Sequence, residues 1–113
     1  MSDCIFCRIA AGEIPADVVG QTDEFVAFND INPAAPVHVL VIPRRHLVSP
    51  DEIEKLAPGA SGRLLSFIAA TACDAGVADS GYRLVTNAGP DSGQEVQHLH
   101  WHILGGRRLG SMG

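Results

Sequence analysis

An alternation of histidine and apolar residues near the end of the chain is the feature that most restricts its fold. In the segment "HLHWHIL" every second residue is a histidine, at His98, His100 and His102. Successive side chains of a strand point to opposite faces, so this spacing predicts a strand with the imidazoles on one face. The intervening apolar residues then pack into the core on the other face; they are Leu99, Trp101 and Ile103.

Three interpretations of these histidines differ in chemistry. They could be incidental residues of a solvated strand face. They could bind one metal ion, but a strand rises about 3.3 Å per residue, which puts His98 and His102 roughly 13 Å apart. Zinc–nitrogen bonds are only about 2.1 Å long, which disfavours one ion held by all three rings. The third interpretation is a histidine nucleophile that attacks phosphorus, with neighbouring groups fixing its tautomer and binding the phosphoryl oxygens.

Hydrophobic periodicity along the rest of the chain predicts an α+β domain. A short helix carries Ile5, Phe6 and Ile9, and a helical turn begins with Ser49 as N-cap and Pro50 in its first position. A long helix between Gly59 and Gly76 has the apolar stripe Leu64, Leu65, Ile68 and Ala72. Strands are predicted over 17–22, 24–31, 37–43, 82–87 and 98–104. We therefore expect residues 1–113 to form a single domain with a mostly antiparallel sheet of about five strands, one long helix and one or two short ones.

Composition excludes several classes of function. The 113 residues have a formal net charge of −5, and paired arginines occur only at 44–45 and 107–108, which disfavours nucleic-acid binding. No apolar run reaches the roughly 18 residues of a membrane helix, and "MSDCIFCRIA" lacks the pattern of a signal peptide. Three cysteines in such a chain indicate thiols or metal ligands. We expect a cytoplasmic protein that binds neither nucleic acid nor membranes.

Three motifs in order along the chain carry a family resemblance. They are "CIFCRI…EIPA", "FNDINPAAPVHVLVIPRRH" and "GYRLVTNAG…SGQEVQHLHWHILGG". Together they resemble the histidine triad (HIT) family over nearly the whole chain. The Gly-Gly-Arg that ends at Arg107 is similar to the Hint-like purine nucleoside phosphoramidases rather than to the diadenosine polyphosphate hydrolases.

The resemblance implies a HIT-like fold and a hydrolase that cleaves the P–N bond of purine nucleoside 5′-phosphoramidates. His100 would be the nucleophile that forms a nucleotidyl-histidine intermediate. His102 would contact the phosphate and the leaving group, His98 would orient the central ring, and His38 would support the site. Hydrolysis of dinucleoside polyphosphates, or nucleotide binding with little turnover, are the alternatives.

The resemblance also implies how a nucleotide such as AMP binds. Asp30 would hold the ribose hydroxyls, which suits a carboxylate that accepts two hydrogen bonds. Asn87 and the loop of Gly93, Gln94 and Glu95 would contact the phosphate, although some relatives have serine in place of Glu95. The base would lie against apolar side chains that could equally be core: Ile5, Phe6, Ile9, Phe28 and Ile31.

A structural zinc ion and a homodimer are further implications. Some HIT proteins bind zinc through the positions that correspond to Cys4, Cys7, His46 and His98, a closed tetrahedral donor set. The third cysteine, Cys73, is expected to be a buried apolar residue of the long helix. Hint-like proteins usually pair through the long helix and an adjoining strand.

Overall fold

The computed structural model describes residues 3–112 and contains one antiparallel sheet. Its strands are β1 (Val18–Gln21), β2 (Phe25–Asn29), β3 (Val37–Pro43), β4 (Tyr82–Val85) and β5 (Trp101–Gly105). The helices are α1 (Ile5–Ala10) and α2 (Ala60–Asp74), and short 3-10 helices cover Pro50–Lys55 and Pro90–Ser92. The strands lie in the order β1-β2-β3-β5-β4 with every neighbouring pair antiparallel. The predicted α+β class and strand number are confirmed.

The central strand β3 is buried on both faces, in agreement with a sequence that is apolar except for His38. Val39 and Val41 pack in a core beneath α2, whereas Leu40 and Ile42 pack in a second core beneath α1. The period of two along a strand separates these pairs. Since β5 pairs with β3 on one side and with β4 on the other, His102 lies within the sheet, beside its central strand.

Only the second half of the histidine segment is a strand, so the prediction of a strand over 98–104 is too long. β5 begins at Trp101, because the backbone N–H of Leu99 donates to the carbonyl of Leu47, outside the sheet ladder. Beyond the ladder the hydroxyl of Thr86 donates to the backbone carbonyl of His100 at 2.7 Å. His98 and His100 are consequently buried, with 0% and 7% of their surface exposed, rather than displayed on an open strand face.

The long helix differs from its prediction in two residues. Leu64, Ile68 and Ala72 are buried on one stripe, as predicted, but Leu65 is 56% exposed and Cys73 is also exposed. Each exposed residue directly follows a buried one, and the rotation of about 100° per residue carries it off the buried face. The expectation that Cys73 is buried is therefore wrong.

The segment before α2 begins as its sequence predicts. The Ser49 side chain accepts a hydrogen bond from the backbone N–H of Asp51, and Pro50 occupies the first helical position, although the helix is a short 3-10 helix. Within residues 3–112, no helix has the length and apolar character needed to cross a bilayer.

Candidate active site and metal group

The three alternating histidines take part in three different local environments. His98 turns toward α1, where it joins the two cysteines. His102 instead contacts His38 on the neighbouring strand. His100 lies between them, with its ring centroid 5.1 Å from that of His102. This separation agrees with the prediction that one ion cannot be held by all three rings.

The ring of His100 is fixed in one tautomer by the backbone. Its Nδ1 lies 2.7 Å from the carbonyl oxygen of His98, and because a carbonyl only accepts, Nδ1 must carry the proton. In the neutral form of this ring, Nε2 then holds the lone pair. The edge of Phe6 packs against the ring with a centroid distance of 5.1 Å. A neutral imidazole with Nε2 available is the form that can act as a nucleophile.

A chain of hydrogen bonds fixes the tautomer of His102 in the opposite sense. The backbone N–H of Ala34 donates to Nδ1 of His38 at 2.9 Å, so the proton of His38 lies on Nε2. That Nε2–H lies 2.8 Å from Nδ1 of His102 and donates to it, with Asp30 Oδ2 at 3.4 Å. Nδ1 of His102 is therefore an acceptor. His102 must carry its proton on Nε2, where it can donate to a ligand.

The electrostatic environment keeps these two rings neutral at pH 7. Burial, followed by the neighbouring rings of His100 and His38, lowers the pKa of His102 to about 4, although Asp30 opposes the shift. Burial also lowers the pKa of His38, again against the opposing charge of Asp30. A neutral His38–His102 pair is what the hydrogen-bond chain requires.

A cavity of roughly 250 Å³ opens over these histidines. Asp30, Asn87, Gly93 and Glu95, all predicted to contact a nucleotide, lie at its wall beside the two rings. The complete lining is Phe6, Asp30, Leu40, Asn87, Gly93, Glu95, Val96, His100 and His102. The structure thus brings polar groups from three separate chain segments to one cavity.

Several residues predicted from the resemblance lie away from this lining. Phe28 is buried behind Phe6, with ring centroids 5.6 Å apart, and Ile9 packs against the same core. Ile5 and Ile31 are exposed, Ile31 by 91%. His38 and His98 support the cavity from behind through the contacts described above.

Gln94 stabilises the loop beside the cavity rather than lining it. Its side-chain NH₂ donates to the carbonyls of Val48 and Val96 at 2.9 and 3.1 Å. Its side-chain oxygen accepts from the N–H of Gly89 at 2.9 Å. These hydrogen bonds tie both ends of the loop to one side chain, which fixes the position of Glu95.

Two lining residues, Leu40 and Val96, are absent from the sequence-based set. Leu40 could have been found, since it lies two residues after His38 on the same strand and shares its face. Val96 precedes the strand, in a loop whose path the sequence does not show.

The second cluster joins Cys4, Cys7, His46 and His98. One donor atom from each residue lies within 4.8 Å of all the others. His98 Nδ1 lies 3.3 Å from Cys4 Sγ, 3.4 Å from Cys7 Sγ and 3.2 Å from His46 Nδ1. Cys7 Sγ lies 3.2 Å from His46 Nδ1. These four residues therefore form a possible metal-binding group.

The backbone prepares His98 for this role. Its Nε2 lies 2.8 Å from the carbonyl of Pro43, so Nε2 carries the proton and Nδ1 presents a lone pair to the cysteines. Burial lowers the pKa of His98, against the opposing effect of that carbonyl. The Pro43 carbonyl acts as the hydrogen-bond partner that metal-binding histidines usually have.

Comparison with known proteins agrees with this fold and with these motifs. The chain belongs to the HIT domain family, whose model matches residues 11–109. It is 43% identical over 110 residues to a purine nucleoside phosphoramidase of Escherichia coli K12, a match that covers 97% of this chain and 92% of that protein. The resemblance stated from the motifs is confirmed.

Solved structures show the same fold. A histidine triad protein from Clostridium difficile superposes with a TM-score of 0.91 at 42% identity, covering 100% of this chain and 98% of the other. A HIT family hydrolase from Legionella pneumophila superposes with a TM-score of 0.83 at 42% identity, covering 96% of each chain. These relatives confirm the prediction of a HIT-like fold and, at the level of reaction class, of a hydrolase.

Proposed function

We propose that this HIT hydrolase cleaves the P–N bond of purine nucleoside 5′-phosphoramidates through a nucleotidyl-histidine on His100. The observation that carries the proposal is the hydrogen bond from His100 Nδ1–H to the carbonyl of His98, which leaves Nε2 as the nucleophilic atom of a ring that lines the cavity. The 43% identity to a purine nucleoside phosphoramidase supports the choice of substrate.

In the first step Nε2 of His100 attacks the α-phosphorus. The electron pair of the P–N bond leaves with the amine nitrogen, which takes one proton from solvent, and a nucleotidyl-histidine remains. In the second step water attacks the same phosphorus and the bond to Nε2 breaks, which releases the nucleoside monophosphate. Dividing the reaction into two displacements is the advantage of a covalent nucleophile.

His102 stabilises the charge that develops on the phosphoryl oxygens. Its Nε2–H is the one donor that the chain from Ala34 through His38 leaves available, and His102 lines the cavity beside His100. The ring is neutral at pH 7 because its pKa is lowered to about 4, and its single proton lies on Nε2 because Nδ1 accepts from His38. A donor placed in advance at a developing oxyanion is the arrangement that lowers an activation barrier.

The remaining lining residues would place the nucleotide. Asp30 would accept hydrogen bonds from the ribose hydroxyls, since its Oδ1 already accepts from the N–H of Asn32 and retains further acceptor capacity. Asn87 and the backbone of Gly93 would contact the phosphate, and Phe6 would contact the base. Gly93 has a φ of 79°, a conformation that glycine adopts without strain.

We further propose that Cys4, Cys7, His46 and His98 bind a structural zinc ion. A tetrahedron with zinc–nitrogen and zinc–sulfur bonds of ordinary length has edges of about 3.3–3.8 Å. Four of the six distances between donor atoms are 3.2–3.4 Å, and all six are within 4.8 Å, so the group is compact enough for such a tetrahedron. Four protein ligands leave no open position, and the ion would therefore supply stability rather than catalysis. Thiolate ligands persist in a reducing compartment, in keeping with a cytoplasmic protein.

A homodimer formed through α2 and β4 completes the proposal. β4 is an edge strand on which Tyr82 and Leu84 are 36% and 37% exposed, and Leu65 of α2 is exposed as well. Apolar groups on an unpaired strand edge favour association with a second copy. Light scattering during gel filtration would measure the mass in solution, and a monomer at micromolar concentration would contradict this part.

The decisive experiment replaces His100 with Asn. H100N should lose nearly all hydrolysis of adenosine 5′-phosphoramidate while AMP binding, measured by calorimetry, remains. Diadenosine polyphosphate should be hydrolysed far more slowly than the phosphoramidate by the unmodified protein. Near-normal turnover by H100N, or a preference for the dinucleotide, would overturn the proposal.

A further inference from the structure

Of the two acidic residues that line the catalytic cavity, Glu95 is the one for which the structure of residues 3–112 describes no hydrogen bond or ion pair. The cavity wall contains two carboxylates, Asp30 and Glu95, and no lysine or arginine among the described residues. Asp30 accepts from the N–H of Asn32 at 2.8 Å and faces Nε2 of His38 at 3.4 Å. None of the ion pairs found within residues 3–112 includes Glu95.

The two neighbours of Glu95 in the loop hold its backbone in place. It lies between Gln94, whose three hydrogen bonds hold the loop, and Val96, which packs against the core beneath α1. The backbone of Glu95 is therefore held at the wall that also contains His100 and His102, and its side chain is exposed there. A phosphorus atom attacked by His100 would lie in a cavity whose lining includes Glu95, so a leaving group would depart near this acidic residue.

We propose that Glu95 selects substrates by the charge of the leaving amine, favouring phosphoramidates whose amine carries a second, cationic group. This inference rests on the proposed phosphoramidase activity. A phosphoramidate monoester carries one negative charge, which the donors on His102 and the loop can balance. An additional ammonium on the leaving group would be attracted to the Glu95 carboxylate, whereas a carboxylate or a further phosphate would be repelled.

The negative charge of Glu95 would also disfavour dinucleoside polyphosphates relative to phosphoramidates. In a dinucleoside polyphosphate the leaving group is itself a polyanion, and the described part of the cavity wall offers it no lysine or arginine. An exposed ion pair is worth up to about fivefold in an equilibrium constant, and a like-charge contact costs a similar factor. We therefore expect about a tenfold preference in kcat/KM for a cationic over an anionic leaving group at low ionic strength.

The test uses three adenosine 5′-phosphoramidates of similar size, made from aminopropyl, butyl and carboxyethyl amines. The unmodified protein should cleave the aminopropyl compound fastest and the carboxyethyl compound slowest. E95Q should reduce the ratio of their kcat/KM values to within about threefold, and salt near 0.5 M should reduce it in the unmodified protein, since it screens exposed charges. E54Q is the matched control: it removes one exposed carboxylate outside the cavity lining and should leave the ratio unchanged.

The outcomes separate this inference from the function on which it rests. If E95Q keeps the ratio of the unmodified protein, or if E54Q lowers it equally, Glu95 does not select the leaving group. If all three compounds are cleaved, and H100N cleaves none, the phosphoramidase proposal stands regardless of that result. If the unmodified protein cleaves none of them, the proposed function itself is wrong.

Discussion

The depressed pKa of His102 predicts a defined loss of stability in acid. The ring ordinarily titrates near 6.5 and in the folded protein near 4. Between pH 6.5 and pH 4 this ring is protonated in the unfolded chain but neutral in the folded protein. Its contribution to the free energy of unfolding is therefore fully present above about pH 6.5 and is lost as the pH decreases toward 4. Linkage with these two values gives a loss of about 2 kcal/mol between pH 7.5 and pH 5 from this one group.

Replacing His102 with Gln removes this contribution while retaining a side chain that can hydrogen bond. Urea unfolding of both proteins at pH 7.5 and pH 5 gives the four free energies that are needed. The unmodified protein should lose about 2 kcal/mol more than H102Q over this interval. Subtracting the variant cancels the acid sensitivity of the cysteine–histidine group and of the surface carboxylates, which both proteins share.

Nuclear magnetic resonance provides an independent measurement on the same group. The ring protons of His102 should show no titration between pH 8 and pH 5.5. A midpoint between pH 6 and 7, or equal losses of stability in the two proteins, would refute the conclusion that burial and the neighbouring rings keep His102 neutral.

Three further predictions concern the cavity and its support. D30N should bind AMP about tenfold more weakly and should no longer bind AMP more tightly than 2′-deoxy-AMP, because hydrogen bonds to a charged group contribute about 1.5–3 kcal/mol. If calorimetry gives the unmodified protein equal affinities for AMP and 2′-deoxy-AMP, Asp30 does not hold the ribose hydroxyls. The double variant C4S/C7S should lose the one zinc per chain that elemental analysis is expected to find, and its melting temperature should fall, whereas C73S, at an exposed cysteine of α2, should change neither. T86V removes the hydroxyl that donates to the His100 carbonyl, so it should lose about 1 kcal/mol of unfolding free energy and reduce kcat more than it changes KM. T86S retains a hydroxyl and should restore both the stability and kcat. A T86V protein with normal kcat would show that this hydrogen bond does not position the nucleophile.

The strand pattern of β3 shows how much of the fold the sequence predicts. Val39 and Val41 separate from Leu40 and Ile42 onto the two cores, as their alternation indicates. The start of β5 is not predictable in this way, because it depends on the N–H of Leu99 pairing with Leu47, a residue 52 positions earlier.

The sequence likewise predicts some features of the candidate site and not others. Strand spacing disfavours one ion held by all three histidines, whereas the roles of the residues around them follow from the family resemblance. Neither strand spacing nor the family resemblance predicts the tautomers of His100 and His102. They depend on hydrogen bonds to backbone groups of Ala34 and His98, which form only in the folded chain. Ile31, which the resemblance places at the base, is 91% exposed next to Asp30, and its contact with a base stays a prediction.

The contact between Cys4 and His98 limits how early the chain can complete its folding during synthesis. It joins residues 94 positions apart, and closing such a loop costs about 4 kcal/mol of chain entropy. Helix α1 is synthesised before the sheet, whereas His98, which contacts it, comes just before β5, the strand of the sheet that is synthesised last, and β5 must insert between β3 and β4. Contacts of such long range form late in folding. A nascent chain that has not yet produced His98 also lacks His100, His102 and β5, so the cavity and the cysteine–histidine group can be completed only after β5 has been synthesised.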